Sequence, residues 1–293
     1  MSDTLTRFVF EHAALRGALV TLGDTVRAVL ACHAYPPAVQ RVLAELLAAA
    51  ALLASTLKFQ GSLIMQLQGD GPVRLLVVEC TDALDLRATA QWDAARTAAL
   101  GPAATLADLA GGPAHGRLVL TLDPKGAGTI YQGIVTLESG SVAGLIEHYL
   151  ATSEQLASRL ALAVRDGTAA GVIVQRLPGA SEDDDATWSR VRERIDALAP
   201  GMLHDDTVEA RLQTLFPEDD LRMFAPRAAQ ARCSCSRERV ANALRIAGRD
   251  EVEAILAERS DVEVTCEFCN RRYVFDPDEA RAVFAPTDSV RRQ

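Results

Sequence analysis

Export signals, basic charge and cysteine are all scarce in this chain. The opening residues, MSDTLTRFVFEHAALRG, place Asp3, Arg7 and Glu11 where a secretory signal needs an unbroken apolar run, so folded, cytoplasmic sequence is expected there. The most apolar run, Val42 to Leu57, contains Glu45 and falls short of the roughly 20 residues that a bilayer requires. It predicts a buried helix and no membrane partner. Thirty Lys and Arg against 39 Asp and Glu give a net charge of −9, the wrong sign for a general affinity for nucleic acid or anionic lipid. Six cysteines in 293 residues are too few for a disulfide framework. Without export the thiols are reduced by default, which turns a tight cysteine group towards metal or redox chemistry.

Catalytic signatures are missing as well. The glycines of DPKGAGTIYQG lack the Gly-Lys-Ser/Thr of a phosphate-cradling loop, and no Ser/His/Asp or Cys/His arrangement is legible, so an enzyme is not expected. His12, His33, His115, His148 and His204 have no second ligand three or four residues away. Cys32 and Cys80 stand alone in apolar surroundings and read as buried, inert thiols.

What is present is globular: 49% hydrophobic and 24% charged residues. RFVF, GALVTL, SLIMQLQ, VRLLVVE, DLRATAQW, GRLVLTL, YQGIVTL and GVIVQRL are strand candidates. The Gly69-Asp70-Gly71-Pro72 turn predicts antiparallel pairing of its flanking strands. Pro36-Pro37 opens one long helix with Val39, Val42, Leu43, Leu46 and Leu47 at helical spacing. The class is α+β: an antiparallel sheet body packed with helices, a helical linker and a small C-terminal zinc-binding domain. The body is placed at 1–179, ending at GASEDDD, which reads as a solvated boundary. A linker at 180–226 holds two short amphipathic helices, one carrying Trp188, Val191, Ile195 and Leu198, the other Val208, Leu212, Leu215 and Phe216, each stopped by proline. The cysteine module takes 227–293, with one helix from about Ser236 to Ala257 and the β-like VEVTCEFCNRRYVF.

Cys233 and Cys235 form one close pair, and Cys266 and Cys269 another. Zn²⁺ is held by four soft ligands in a tetrahedron, commonly from two cysteine pairs on two turns, and Asn270 can take the left-handed conformation that ends such a turn. Spacing favours one zinc, or another tetrahedral metal, over permanent disulfides or unconnected thiols. A purely structural staple and a reactive site both remain open on the residues. Three features favour reactivity: the tight C-x-C, the flanking Arg232, Arg237, Arg239, Arg271 and Arg272, and the closeness of each pair to its own disulfide. Oxidation is expected to link neighbours, 266 to 269 first, because two intervening residues strain the ring less than one.

The pattern C-S-C-S-R-E-R with C-x-x-C after it, thirty residues separating Cys235 from Cys266, resembles the bacterial Hsp33 family of redox-regulated holdase chaperones, as do YPPAVQRVLAELLAAAALLASTLKFQGSLIMQLQGDGPVRLLVVE and YQGIVTLESGSVAGLIEHYLATSEQL. The likeness covers nearly the whole chain, and Asn270 departs from the glycine many members place there. It implies a cytosolic, ATP-independent chaperone, inactive with zinc on four thiolates. Cys233, Cys235, Cys266 and Cys269 carry over as ligands and switch thiols. Oxidation then forms two disulfides, zinc leaves, the linker unfolds and apolar surface meets unfolded client proteins, with a homodimer expected for the oxidised form. Two rivals compete. A zinc-ribbon nucleic-acid reader should be basic, whereas residues 227–293 hold twelve Arg, no Lys and twelve acids. A thiol-disulfide oxidoreductase usually carries C-x-x-C at a helix start in a βαβ unit.

Overall fold

The apolar runs assemble around the alanine-rich helix, which a computed structural model, describing residues 3–56, 60–126, 128–138, 140–204 and 207–285, places between two sheets. In chain order the elements are Thr4–Phe10 (β1), Leu15–Leu22 (β2), Asp24–Leu30 (α1), Pro37–Thr56 (α2), Gly61–Gly69 (β3), Val73–Thr81 (β4) and Asp85–Trp92 (β5). Then come Ala94–Ala98 (α3), Leu106–Ala110 (α4), Gly116–Pro124 (β6), Tyr131–Thr136 (β7), Val142–Thr152 (α5), Ser158–Arg165 (β8) and Thr168–Arg176 (β9). Asp183–Asp196 (α6), a 3-10 turn at Pro200–Leu203, Val208–Leu215 (α7), Leu221–Met223 (β10), Arg227–Ala228 (β11) and Gln230–Ala231 (β12) complete a first compact unit, Met1–Arg232. The second unit, Cys233–Gln293, contains Arg237–Ala247 (α8), Arg249–Glu258 (α9), Val262–Thr265 (β13), Arg272–Phe275 (β14) and Pro277–Ala282 (α10).

One sheet runs β10-β1-β2-β9-β8 with β11 also on β1, and the other runs β12-β5-β4-β3-β6-β7. All pairings are antiparallel except that of β12 with β5. The expected hairpin joins β3 to β4 through Gly69–Pro72. A Cβ on Gly71 would lie 2.1 Å from the Gly111 nitrogen, so only glycine lets the α4 end approach this turn.

Helix α2 has fifteen of its 20 residues buried because Leu63, Met65 and Leu76 meet it from one sheet and Val20, Leu22 and Ile173 from the other. It is long and apolar enough to span a bilayer, so length does not exclude a membrane; its burial, 83% of the apolar window, accounts for its composition. Leu57, where the apolar run was expected to end, lies outside the described residues.

The opposite face of the first sheet is covered by residues 188–216. Trp188, Val191, Ile195, Leu203, Leu212, Leu215 and Phe216 form one buried cluster with Phe8, Phe10, Leu15, Leu19, Val172 and Val174. The Phe216 ring lies 5.9 Å from Phe8 and 5.3 Å from Phe10. Strand β9 therefore buries both faces, which explains its unbroken apolar run. Polar ties add to the cover: Arg211, buried, donates to Thr21 Oγ1 (2.9 Å) and the Leu203 carbonyl (2.6 Å), and Arg159 pairs with Asp196.

Four expectations change. The acidic run is not wholly solvated, since Asp184 is buried and accepts from the Ala14 and Ser181 amides at 3.0 and 2.8 Å. Strand β8 escaped notice because Ala161 and Ala163 blur its alternation. The helix expected from Ser236 to Ala257 is two helices, broken where Gly248 adopts φ +99°. Residues 227–232, expected in the cysteine module, fall in the first unit, where β11 and β12 pair with β1 and β5.

Candidate metal centre

Two local structures hold the four thiols. Cys233 and Cys235 lie in the extended stretch before α8, where Ser236 caps the helix by accepting from the Arg239 amide and Arg239 Nη1 donates to Ser234 Oγ at 2.6 Å. Cys266 and Cys269 occupy the turn between β13 and β14, whose strands pair from Val262↔Phe275 to Thr265↔Arg272. The Asn270 amide donates to the Cys266 carbonyl (2.8 Å) and the Cys266 amide to that of Arg271 (2.9 Å), closing the turn. Asn270 sits at φ 56°, the left-handed conformation that the sequence suggested.

These turns bring the four sulfurs within 4.8 Å of one another. Cys233 Sγ is 3.7 Å from Cys266 Sγ, and Cys235 Sγ is 3.4 Å from Cys269 Sγ. A tetrahedron with metal–sulfur bonds of roughly 2.3 Å has edges of about 3.8 Å, so the cage is of the right size. No disulfide joins any of the six cysteines. Among the described residues this is the single group of three or more His, Cys, Asp or Glu with ligand atoms this close. Cys80, buried and with its thiol pushed far up by burial, and Cys32 are not members of this group.

Hydrogen bonding distinguishes the sulfurs. Burial raises the Cys235 thiol, but the Tyr273 hydroxyl, 3.1 Å away, and the three other thiols outweigh it and bring it down to about 7. Burial pushes Cys233 and Cys269 up. Protons in such a cluster belong to the group rather than to one sulfur. Tyr273 was missed by sequence reasoning; its signal is alternation along β14, which places Tyr273 and Phe275 on the buried face. The arginines contribute less than expected. Arg232 pairs with Asp85, Arg237 with Glu279 and Arg272 with Glu263, while Arg271 is the one held charged by the Tyr273 oxygen and by Cys235 and Cys269.

Among the described residues the module's buried core is small. It consists of Val240, Leu244, Val252, Val262, Tyr273, Phe275, Ala280 and Val283, and partly buried Ile255, Leu256, Val264 and Phe284 pack against it beside Cys235 and Cys266.

Fold and site together define an α+β body followed by a small module that presents four cysteine sulfurs as a ready cage for a metal ion. A family model described as Hsp33 protein matches residues 3–276. A 33 kDa chaperonin of Methylobacillus flagellatus is 40% identical over 287 residues, 97% of this chain and 95% of that protein. Its counterpart in Chromobacterium violaceum is 42% identical over 289 residues, 96% of this chain and 94% of that one. The crystal structure of the 33 kDa chaperonin from Thermotoga maritima shares the fold at a TM-score of 0.78, with 24% identity and 96% and 97% of the two chains covered. The chain belongs to the Hsp33 family of chaperones.

Proposed function

We propose that the protein is a redox-regulated, ATP-independent holdase of the cytoplasm, with Cys233, Cys235, Cys266 and Cys269 as both zinc ligands and switch thiols. The all-sulfur cage at tetrahedral spacing is the observation that carries this reading. Bound there, one zinc per reduced chain would be a redox-inert clamp on four thiolates, adding on the order of 10–16 kcal/mol to the folding of the module. The eight-residue core of that module supports such a dependence.

Oxidation starts from a thiolate, and with zinc bound all four sulfurs are thiolates, so ring strain sets the order and Cys266–Cys269 closes first. Each disulfide forms as two thiols give two electrons and two protons to a peroxide, which departs as two waters. Neighbour pairing, Cys233 with Cys235 and Cys266 with Cys269, leaves no sulfur to hold an ion. The module then unfolds, and residues 180–226 lose their C-terminal anchor. Trp188, Val191, Ile195, Leu212, Leu215 and Phe216 come off the first sheet, and they and the Phe8, Phe10 and Val172 face they covered meet unfolded clients. The homodimer of the oxidised form belongs to the same reading.

Zinc content, free-thiol count and suppression of client aggregation, measured on the full chain before and after peroxide, test this together. One zinc lost, four thiols lost and activity gained is the expected result; activity unchanged by oxidation would sink it. Peptide mapping reads the pairing, and a dominant Cys235–Cys269 bond would overturn the neighbour assignment. Equal hydrogen-exchange protection of residues 180–226 in reduced and active oxidised protein would remove the linker from the switch.

A further inference from the structure

A positively charged concavity lies on the first unit, on the face of β1 and β2 that carries Arg7 and Arg16. Arg7 pairs across the strands with Ala18 and Arg16 with Val9, so the two guanidinium groups stand diagonally on one face. They line a cavity of about 220 Å³ with Val9, Gly17, Ser55 and Phe224. Among the described residues neither arginine has a carboxylate partner, although the chain carries a net −9. Both are held in place by other means. Arg16 Nε donates at 3.1 Å to Gln175 Oε1, and Gln175 is itself fully buried and donates to Ser158 Oγ at 3.2 Å. That bond occupies one edge of the guanidinium and leaves the Nη edge for the cavity. Arg7 lies 5.5 Å from the centre of the Phe224 ring, a cation–π contact, and its carbonyl accepts from the Phe224 amide at 2.9 Å. Ser55 and Thr56 donate their hydroxyls inward, to the Leu52 and Leu53 carbonyls, and add no negative charge. Burial and then the charge of Arg7 lower the Arg16 guanidinium from its ordinary value, a repulsion that no neighbour relieves.

We infer that Arg7 and Arg16 form a binding site for a small oxyanion, a phosphate or carboxylate group, seated beside the Phe224 ring. Two fixed guanidinium forks match the planar edges of such groups, and an aromatic wall suits any apolar part attached to them. The volume lies below the span of drug-sized pockets, which fits a small ligand or one end of a larger one. Phe224 reaches this wall only while β10 is paired with β1, in the register Phe8↔Met223. Bound anion therefore favours the paired arrangement by mass action. If the linker is the switch proposed above, the anion also delays activation; that consequence rests on the switch reading, whereas binding itself does not.

The test is an NMR titration of reduced, full-length, ¹⁵N-labelled protein with inorganic phosphate in one arm and acetate in the other, at constant ionic strength set by chloride. Saturable shifts of the Arg7, Arg16 and Phe224 amides, with one site per chain, are expected in at least one arm, and the arm that saturates identifies the group. The double variant Arg7→Gln/Arg16→Gln should bind at least about tenfold more weakly. Arg74→Gln, which removes an exposed charge on β4, should bind as the parent does. Shifts that rise linearly in both arms, or equal affinity of the double variant and the parent, would overturn the site. A thermal melt of each variant separates loss of binding from loss of fold.

Discussion

The two faces of the first sheet are buried to the same depth by very different means. On one side α2 is a continuous 20-residue helix held between two sheets, with fifteen of its residues buried. On the other side the cover consists of two helices and a 3-10 turn, whose apolar residues come singly between charged ones and whose backbone is interrupted at Pro200 and Pro217. Burial of a side chain therefore does not measure how firmly the segment carrying it is held. A cover of separate pieces can detach in a way that a single enclosed helix cannot.

That contrast can be tested in order of expected effect. Chelation of the proposed zinc from the reduced protein is the largest perturbation expected, removing on the order of 10 kcal/mol from the module. Hydrogen exchange should show residues 233–285 losing protection while 37–56 keep theirs; loss in both would mean that the regions are not independent. Next, Phe216→Ala and Leu46→Ala each delete a fully buried side chain, at costs of about 3–5 and 2–5 kcal/mol. Phe216→Ala should give chaperone activity without oxidation and little change in the main melting transition. Leu46→Ala should lower that transition and leave the reduced protein inactive. Indistinguishable melts and activities would erase the difference between the two covers.

A smaller effect is expected from Tyr273→Phe, which removes one donor to Cys235. Zinc affinity, read by competition with a chelator, should weaken by about threefold to tenfold. The smallest concerns acid. The Ala14 and Ser181 amides hold the Asp184 carboxyl below the usual range, with Arg176 nearby adding to the effect. Its folded value lies below an unfolded value of about 3.9, so its contribution is whole above about pH 4 and is lost as pH falls through the folded value. Protection of α6 should be flat from pH 7 to 5 and fall below pH 4 before that of α2. Asp184→Asn should remove the acid-dependent part.

Much of this was legible in the sequence because it rests on local rules. Short Val-, Ile- and Leu-rich runs mark β1 to β7 and β9, Pro36-Pro37 marks the start of α2, and Asn270 marks the turn that closes the second cysteine pair. The remainder depends on partners distant in the chain. The membrane-like length of α2 makes sense only with a sheet on each side. Asp184 looked solvated because the amide it caps, Ala14, is 170 residues away. Five arginines looked alike around the thiols until Asp85, Glu279 and Glu263 engaged three of them. Tyr273 could not be connected to Cys235 before the hairpin placed it there.

The three short strands β10, β11 and β12 matter beyond their length. β10 and β11 occupy the outer edge of β1, and β12 that of β5, through as few as two or three residues each. Were the proposed switch to carry these strands away together with residues 180–226, both sheets would acquire a rim of unsatisfied amide and carbonyl groups, spaced to accept an extended chain. An unfolding polypeptide has the same groups to offer whatever its side chains. Under that proposal, release of the cover would present a backbone template next to a greasy face, a grip that would ask of its target only that it be unfolded.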